Sequence, residues 1–215
     1  MDYELDLDEQ EKIDALKNYW QRYANLILVI LALAAFGLAG WQWWHHMQRK
    51  NAAEASVLYA DLQHAQKDNQ TRIVTGTAQT LMAQYGSTAY AARGAIIAAA
   101  ANVQAGNLPT AKIELQWVLT HSKESGIKAL AGLHLAEIFL DENQPAAALT
   151  QLNTAHEESF ANLYNDLKGD ALAMQNKRPE ARAAYKIALE KSPPDSQYRN
   201  VIETKLNAVG GVAAQ

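Results

Sequence analysis

Between Arg22 and Arg49 the chain carries no Asp, Glu, Lys or Arg. Inside that gap, residues 24–44 read ANLILVILALAAFGLAGWQWW, where only Asn25 and Gln42 are clearly polar. A helix rises about 1.5 Å per residue, so these 21 residues match the roughly 30 Å hydrocarbon core of a bilayer. Tyr19, Trp20 and Tyr23 stand at one edge and Trp41, Trp43 and Trp44 at the other. Amphipathic rings settle at headgroup level, so this placement predicts a transmembrane helix with both ends anchored. A buried soluble helix is disfavoured because the run is too long and too uniformly apolar. A cleavable signal peptide is disfavoured because the leader is acidic, not basic, and the bulky WQWW follows the apolar run. No ionisable group lies within the run, which argues against a pump or proton relay and for an anchor.

Charge sets the rest of the frame. Residues 1–22 hold seven acids and three bases, which account for the whole net charge of −4. A basic field suited to nucleic acid is therefore not expected. Lys12, Lys17 and Arg22 precede the span, while Arg49 and Lys50 follow it. Basic residues mark the cytoplasmic side, so the three-to-two bias places the N-terminus inside and the long C-terminal part outside. The chain has no cysteine, which removes disulfides, iron–sulfur clusters and thiolate zinc sites from consideration.

From Ala52 onward no strand-like alternation of any length occurs, and 40 alanines in the whole chain favour helices. The spacing predicts helices near 52–66, 72–85, 88–105, 109–121, 125–142, 145–156, 161–175, 179–191 and 195–208. Three corners expose how they are organised: Gly106-Asn-Leu-Pro109, Asn143-Gln-Pro145 and Asn176-Lys-Arg-Pro179. Gly and Asn suit the left-handed residue that closes a helix, and Pro suits the first turn of the next. The corners recur 37 and then 33 residues apart, close to the 34-residue tetratricopeptide period. Small and large residues keep step with them. Ala99, Ala111 and Leu115 belong to the first unit. Ala136, Phe139, Ala148, Leu152 and Ala155 belong to the second, and Gly169, Leu172, Ala181, Tyr185, Ala188 and Pro193 to the third. Helices cross closely only where side chains are small, with large neighbours filling the gaps.

The reading is an all-α chain: a single N-terminal transmembrane helix followed by a tetratricopeptide-like right-handed α-solenoid. The expected divisions are an acidic cytoplasmic leader at 1–23, the span at 24–44, the repeat domain at 45–209 and a flexible tail at 210–215. Residues 52–85 read as a degenerate helix pair, and 195–208 as a terminal cap.

This layout resembles the bacterial ancillary SecYEG translocon subunit family. The stretches AANVQAGNLPTAKIELQWVL, LAEIFLDENQPAAALTQLN and LKGDALAMQNKRPEARAAYKIALE look like that family's repeats. The resemblance implies an inner-membrane protein with a periplasmic domain associated with the Sec translocon. It also implies partnership with a membrane-anchored periplasmic chaperone of the peptidyl-prolyl isomerase type and contact with exported polypeptides.

No catalytic constellation stands out. His45, His46, His64, His121, His134 and His156 form no HExxH pair, and neither a P-loop nor a GxSxG motif occurs. No enzyme activity, cofactor or metal is expected. What remains is a binding surface, because the first helix of each repeat lines the concave face of such an array. Carrying the repeat pattern over gives Arg93, Ile96, Ala100 and Gln104 from the first unit. The second gives Leu130, Leu133, Glu137 and Asp141, and the third Leu163, Asp166, Asp170 and Met174. Some of these residues would instead pack against the next repeat. The expected function is a membrane-anchored interaction adaptor at the Sec translocon. The alternative is a tetratricopeptide scaffold for another cell-envelope complex.

Overall fold

The computed structural model describes residues 7–210. The first six residues of the leader, and all of the expected tail except Gly210, lie outside them. The described residues contain helices and no strand. They are α1 (Leu7–Lys67), α2 (Thr71–Gln84), α3 (Ala89–Gln104), α4 (Leu108–His121) and α5 (Ser125–Asp141), then α6 (Pro145–Leu152), α7 (Ala161–Met174), α8 (Arg178–Lys191) and α9 (Tyr198–Ala208), with a short 3-10 turn at Glu158–Phe160. The chain divides into two compact units between Lys50 and Asn51.

In the first unit, α1 contains the stretch long and apolar enough to cross a membrane. Leu26, Val29, Leu33, Phe36, Leu38 and Trp41 are all exposed. A helix apolar on every side suits lipid and leaves no polar face for water. The helix runs on past the span because nothing between Trp44 and Ala52 breaks it: HHMQRKN holds neither Gly nor Pro. The helix expected at 52–66 is therefore the last part of α1.

In the second unit, residues 51–67 of α1 pack with α2 and α3, α3 pairs with α4, α5 with α6 and α7 with α8, and α9 follows as the last described helix. The corners form as their sequence predicts. Gly106, Asn143 and Asn176 have φ of 75°, 58° and 60°. Each is followed by a six-residue backbone bond: Asn107 N–H to Asn102 C=O at 2.8 Å, Gln144 to Phe139 at 2.7 Å and Lys177 to Leu172 at 2.9 Å. With the Gly106, Asn143 and Asn176 amides bonding three residues back, these are Schellman closures that satisfy orphan helix carbonyls. The same closure occurs at a corner without proline. Asn69 has φ of 54°, and Gln70 N–H bonds Ala65 C=O at 2.9 Å.

Small residues let the helices approach. Ala99, Ala111 and Leu115 are buried in the first unit, Ala136, Ala148 and Leu152 in the second, and Ala181, Tyr185 and Ala188 in the third. At Gly169 the approach is tightest: an added Cβ would sit 2.3 Å from the Tyr185 ring. From α2 onward, two boundaries differ from the sequence expectation by three residues or more. Helix α6 ends at Leu152, not 156, with Asn153 as its cap, and this leaves Ala155 exposed beyond the helix. Helix α9 begins at Tyr198 because Pro193-Pro194-Asp195 holds the preceding chain in a turn.

A polar stitch repeats along the array. The Tyr85 hydroxyl donates to Glu54, Arg93 to Glu124, the Ser125 hydroxyl to Glu157 and the Tyr198 hydroxyl to Asp166, at separations of 31, 31, 32 and 32 residues. Each joins one repeat's first helix to the junction or helix that follows the repeat. Stacking is thus fixed by directional bonds as well as apolar contact.

Candidate functional site: the concave face of the first helices

Helices α3, α5 and α7 carry the predicted groove residues in one common register. Counted from Ala99, Ala136 and Gly169, those residues fall six before, three before, one after and five after. The positions do not share one fate. Three before, Ile96 is half-buried against the core, while Leu133 and Asp166 are 3% and 0% exposed. Leu133 packs with Ala129, Ala136, Leu152 and Tyr164, so it is a core residue and not groove lining. Six before, Arg93, Leu130 and Leu163 are half-buried. Arg93 is engaged by a two-pronged ion pair: Nη1 to Glu124 Oε1 at 2.9 Å and Nη2 to Oε2 at 2.7 Å. It therefore acts as an inter-repeat clamp. Five after, Gln104, Asp141 and Met174 are all exposed. One after, Ala100 and Glu137 are exposed and Asp170 is half-buried.

The two outward positions meet in a cleft of about 220 Å³ between α3 and α5. Ala99, Leu115 and Ile138 supply its buried apolar floor, with Ala100 and Val103 beside them. Gln104, His134, Glu137 and Asp141 complete the lining. His134 Nδ1 lies 2.8 Å from Glu137 Oε2. Four predicted residues (Ala100, Gln104, Glu137 and Asp141) thus converge here. Val103 and His134 were not predicted. Their signal was helical spacing, since each lies three residues from a predicted neighbour, Ala100 or Glu137.

Toward the C-terminus the face is covered by the chain itself. Helix α9 sends Lys205 Nζ to Asp166 Oδ2 and Asp170 Oδ2, both at 2.7 Å, and the Tyr198 hydroxyl to Asp166. The Tyr185 hydroxyl donates to Asp170 at 2.8 Å. Burial alone would lower the Lys205 pKa, but the two carboxylates outweigh it and raise it. Tyr185 and Tyr198 are both raised, by burial first and then by bonding to Asp170 and Asp166. Asp166 and Asp170 are therefore tied to the terminal helix.

A second buried acid lies inside the array. Glu114 of α4 is 1% exposed and accepts from Asn102 Nδ2 at 3.0 and 3.2 Å, while Asn102 also bonds Thr75. Burial pushes its pKa up to about 7, with the Asn102 bond pulling the other way. It does not line the cleft. Among the described residues no three His, Asp or Glu side chains gather as a metal site would require.

A family profile described as a tetratricopeptide repeat-like domain matches residues 17–211. A relative from Neisseria gonorrhoeae named ancillary SecYEG translocon subunit is 32% identical over 204 residues, covering 94% of this chain and 98% of its own length. Proteins of the same name from Escherichia coli and Haemophilus influenzae are 26% and 27% identical, covering 93% and 82% of this chain and 96% and 89% of theirs. No solved structure matches the chain. With an all-helical repeat array, an apolar N-terminal helix and this near full-length likeness, the chain belongs to the tetratricopeptide repeat-like family of ancillary SecYEG translocon subunits.

Proposed function

We propose that this chain is a membrane-anchored, non-catalytic adaptor at the Sec translocon, holding exported polypeptides close to periplasmic chaperones of the peptidyl-prolyl isomerase type. The α1 span fixes it in the bacterial inner membrane, with the N-terminus cytoplasmic and the repeats periplasmic. The observation that carries the reading is the open cleft between α3 and α5, an apolar floor under polar side chains on a repeat array that is tethered to a span-length helix. The names of the relatives support the translocon as the site of action.

The test is site-specific photocrosslinking in cells from Gln104 and Asp141, both exposed at the cleft. Translocon subunits, an isomerase-type chaperone and exported chains are the expected products. Consistent capture of subunits from another envelope machine would establish the scaffold alternative instead. Orientation is tested by Asn107→Cys, an exposed corner residue in a chain with no native cysteine. A membrane-impermeant maleimide should label it from the periplasm in cells with an intact inner membrane. Labelling only after that membrane is opened would reverse the topology.

A further inference from the structure

We infer that the cleft between α3 and α5 selects a polypeptide segment in which one bulky apolar side chain is flanked by lysine or arginine. The inference rests on the reading of the concave face as a polypeptide-binding groove and names what that groove prefers. Size is the first argument. At about 220 Å³ the cleft is smaller than the roughly 300–1,000 Å³ typical of sites that enclose a whole small-molecule ligand. It suits a single large side chain from a longer chain lying across it. The second argument is the lining: Ala99, Leu115 and Ile138 form an apolar floor whose side chains offer no hydrogen bond to a polar group, and Val103 is an exposed apolar wall.

Charge complementarity decides the flanks. Glu137 and Asp141 are exposed one turn apart on the same face of α5. Neither has a lysine or arginine ion-pair partner among the described residues; Glu137 meets only His134. The neighbouring acids are already matched: Glu124 by Arg93, Glu142 by Lys112, and Asp166 and Asp170 by Lys205. Whereas Glu124 and Glu142 each have a basic partner and Asp166 and Asp170 share Lys205, the cleft pair therefore presents carboxylates with no lysine or arginine of their own among the described residues. Its field also reaches along the array, where Glu137 adds to the burial and Asp166 contact that raise the Tyr198 pKa. A cation beside the inserted side chain completes these carboxylates, whereas an acidic flank is repelled. Such rim charges set selectivity and encounter rate, while the apolar floor supplies most of the affinity.

The test uses the full chain in detergent micelles and fluorescein-labelled Gly/Ser peptides, read by anisotropy at low salt. One peptide carries Arg-Phe-Arg, a second Glu-Phe-Glu and a third Arg-Ser-Arg. At up to about fivefold per exposed ion pair, the Arg-flanked phenylalanine peptide should bind roughly three- to tenfold tighter than the Glu-flanked one. That margin should shrink with added salt, and Arg-Ser-Arg should bind weakly. Glu137→Gln with Asp141→Asn should erase the margin, and Glu137→Lys with Asp141→Lys should reverse it. These side chains are exposed, and a helical circular dichroism signal confirms that the variants remain folded. Ala100→Trp, which fills the cleft from an exposed position, should abolish binding of both phenylalanine peptides. Equal affinity for the Arg- and Glu-flanked peptides, or undiminished binding to Ala100→Trp, would overturn the inference. Peptide indifference with translocon crosslinks intact rejects this preference and leaves the adaptor reading standing. A clear peptide preference without translocon crosslinks supports the cleft chemistry and rejects the adaptor reading.

Discussion

The buried carboxyl of Glu114 makes the stability of the repeat array depend on pH in a direction opposite to that of a salt-bridged acid. Its pKa rises from 4.5 to about 7 in the folded chain because burial disfavours the carboxylate. The folded state therefore holds a proton that the unfolded state releases. Stability from this group is fully present below about pH 4.5, and it is lost as pH rises through about 7. Between pH 5 and pH 8 the linkage relation gives a loss of roughly 2.5 kcal/mol. Glu114→Gln is nearly isosteric, keeps an acceptor for Asn102 Nδ2 and cannot ionise. Thermal unfolding of wild type and variant, followed by circular dichroism at pH 5 and pH 8 in the same detergent, isolates the effect. The variant's advantage should grow by roughly 2.5 kcal/mol across that window. At about 2–4 °C per kcal/mol this is a relative gain of roughly 5–10 °C in Tm at pH 8. A difference between the proteins that stays constant with pH, or a variant that loses ground at pH 8, would refute a buried, protonated Glu114.

Two further outcomes probe the packing. Gly169→Ala gains helix propensity of about 1 kcal/mol but drives a methyl against the Tyr185 ring, which is buried and hydrogen-bonded to Asp170. A net loss of about 1–2 kcal/mol is expected by urea denaturation, and a stabilised variant would show that the ring yields freely. Lys205→Met leaves Asp166 buried with only the Tyr198 hydroxyl donating to it, for an expected cost of roughly 2–4 kcal/mol, because the lysine itself is partly exposed. Hydrogen exchange should quicken across Tyr198–Ala208, and Asp166→Asn in the same chain should restore much of the protection; unchanged exchange would show that α9 is held by apolar contacts alone.

The sequence announces the corners because their chemistry is local. Gly106, Asn143 and Asn176 close a helix in the left-handed region, and a proline two or three residues later opens the next. The corner at Asn69 uses the same closure but is followed by Gln70-Thr71, so a search guided by proline misses it. The end of α6 was hidden differently: in an Ala-rich stretch only Asn153-Thr154 signals a stop. The continuity of α1 follows from the lack of any breaker after Trp44. Its division near Lys50 comes from tertiary packing, which helical propensity does not encode.

The groove was legible only in part, because a first helix in such an array presents two adjoining stripes. One faces solvent on the concave side and the other faces the next repeat. A 3.6-residue period separates these stripes from the core but does not say which neighbour arrives to cover one of them. Ile96, Leu133 and Asp166 occupy the same register, Ile96 half-buried and the other two buried. In the first two units the residue is apolar. In the third it is an acid, because the helix arriving there is α9, which brings Tyr198 and Lys205. Helix α9 docks here through a charged network as well as through Ile202 and Leu206. The acid at the register position that the earlier repeats fill with Ile or Leu thus marks where α9 docks in this chain. Upstream, α9 sends no lysine or arginine to Glu137 or Asp141, the two acids on which the proposed cleft preference rests.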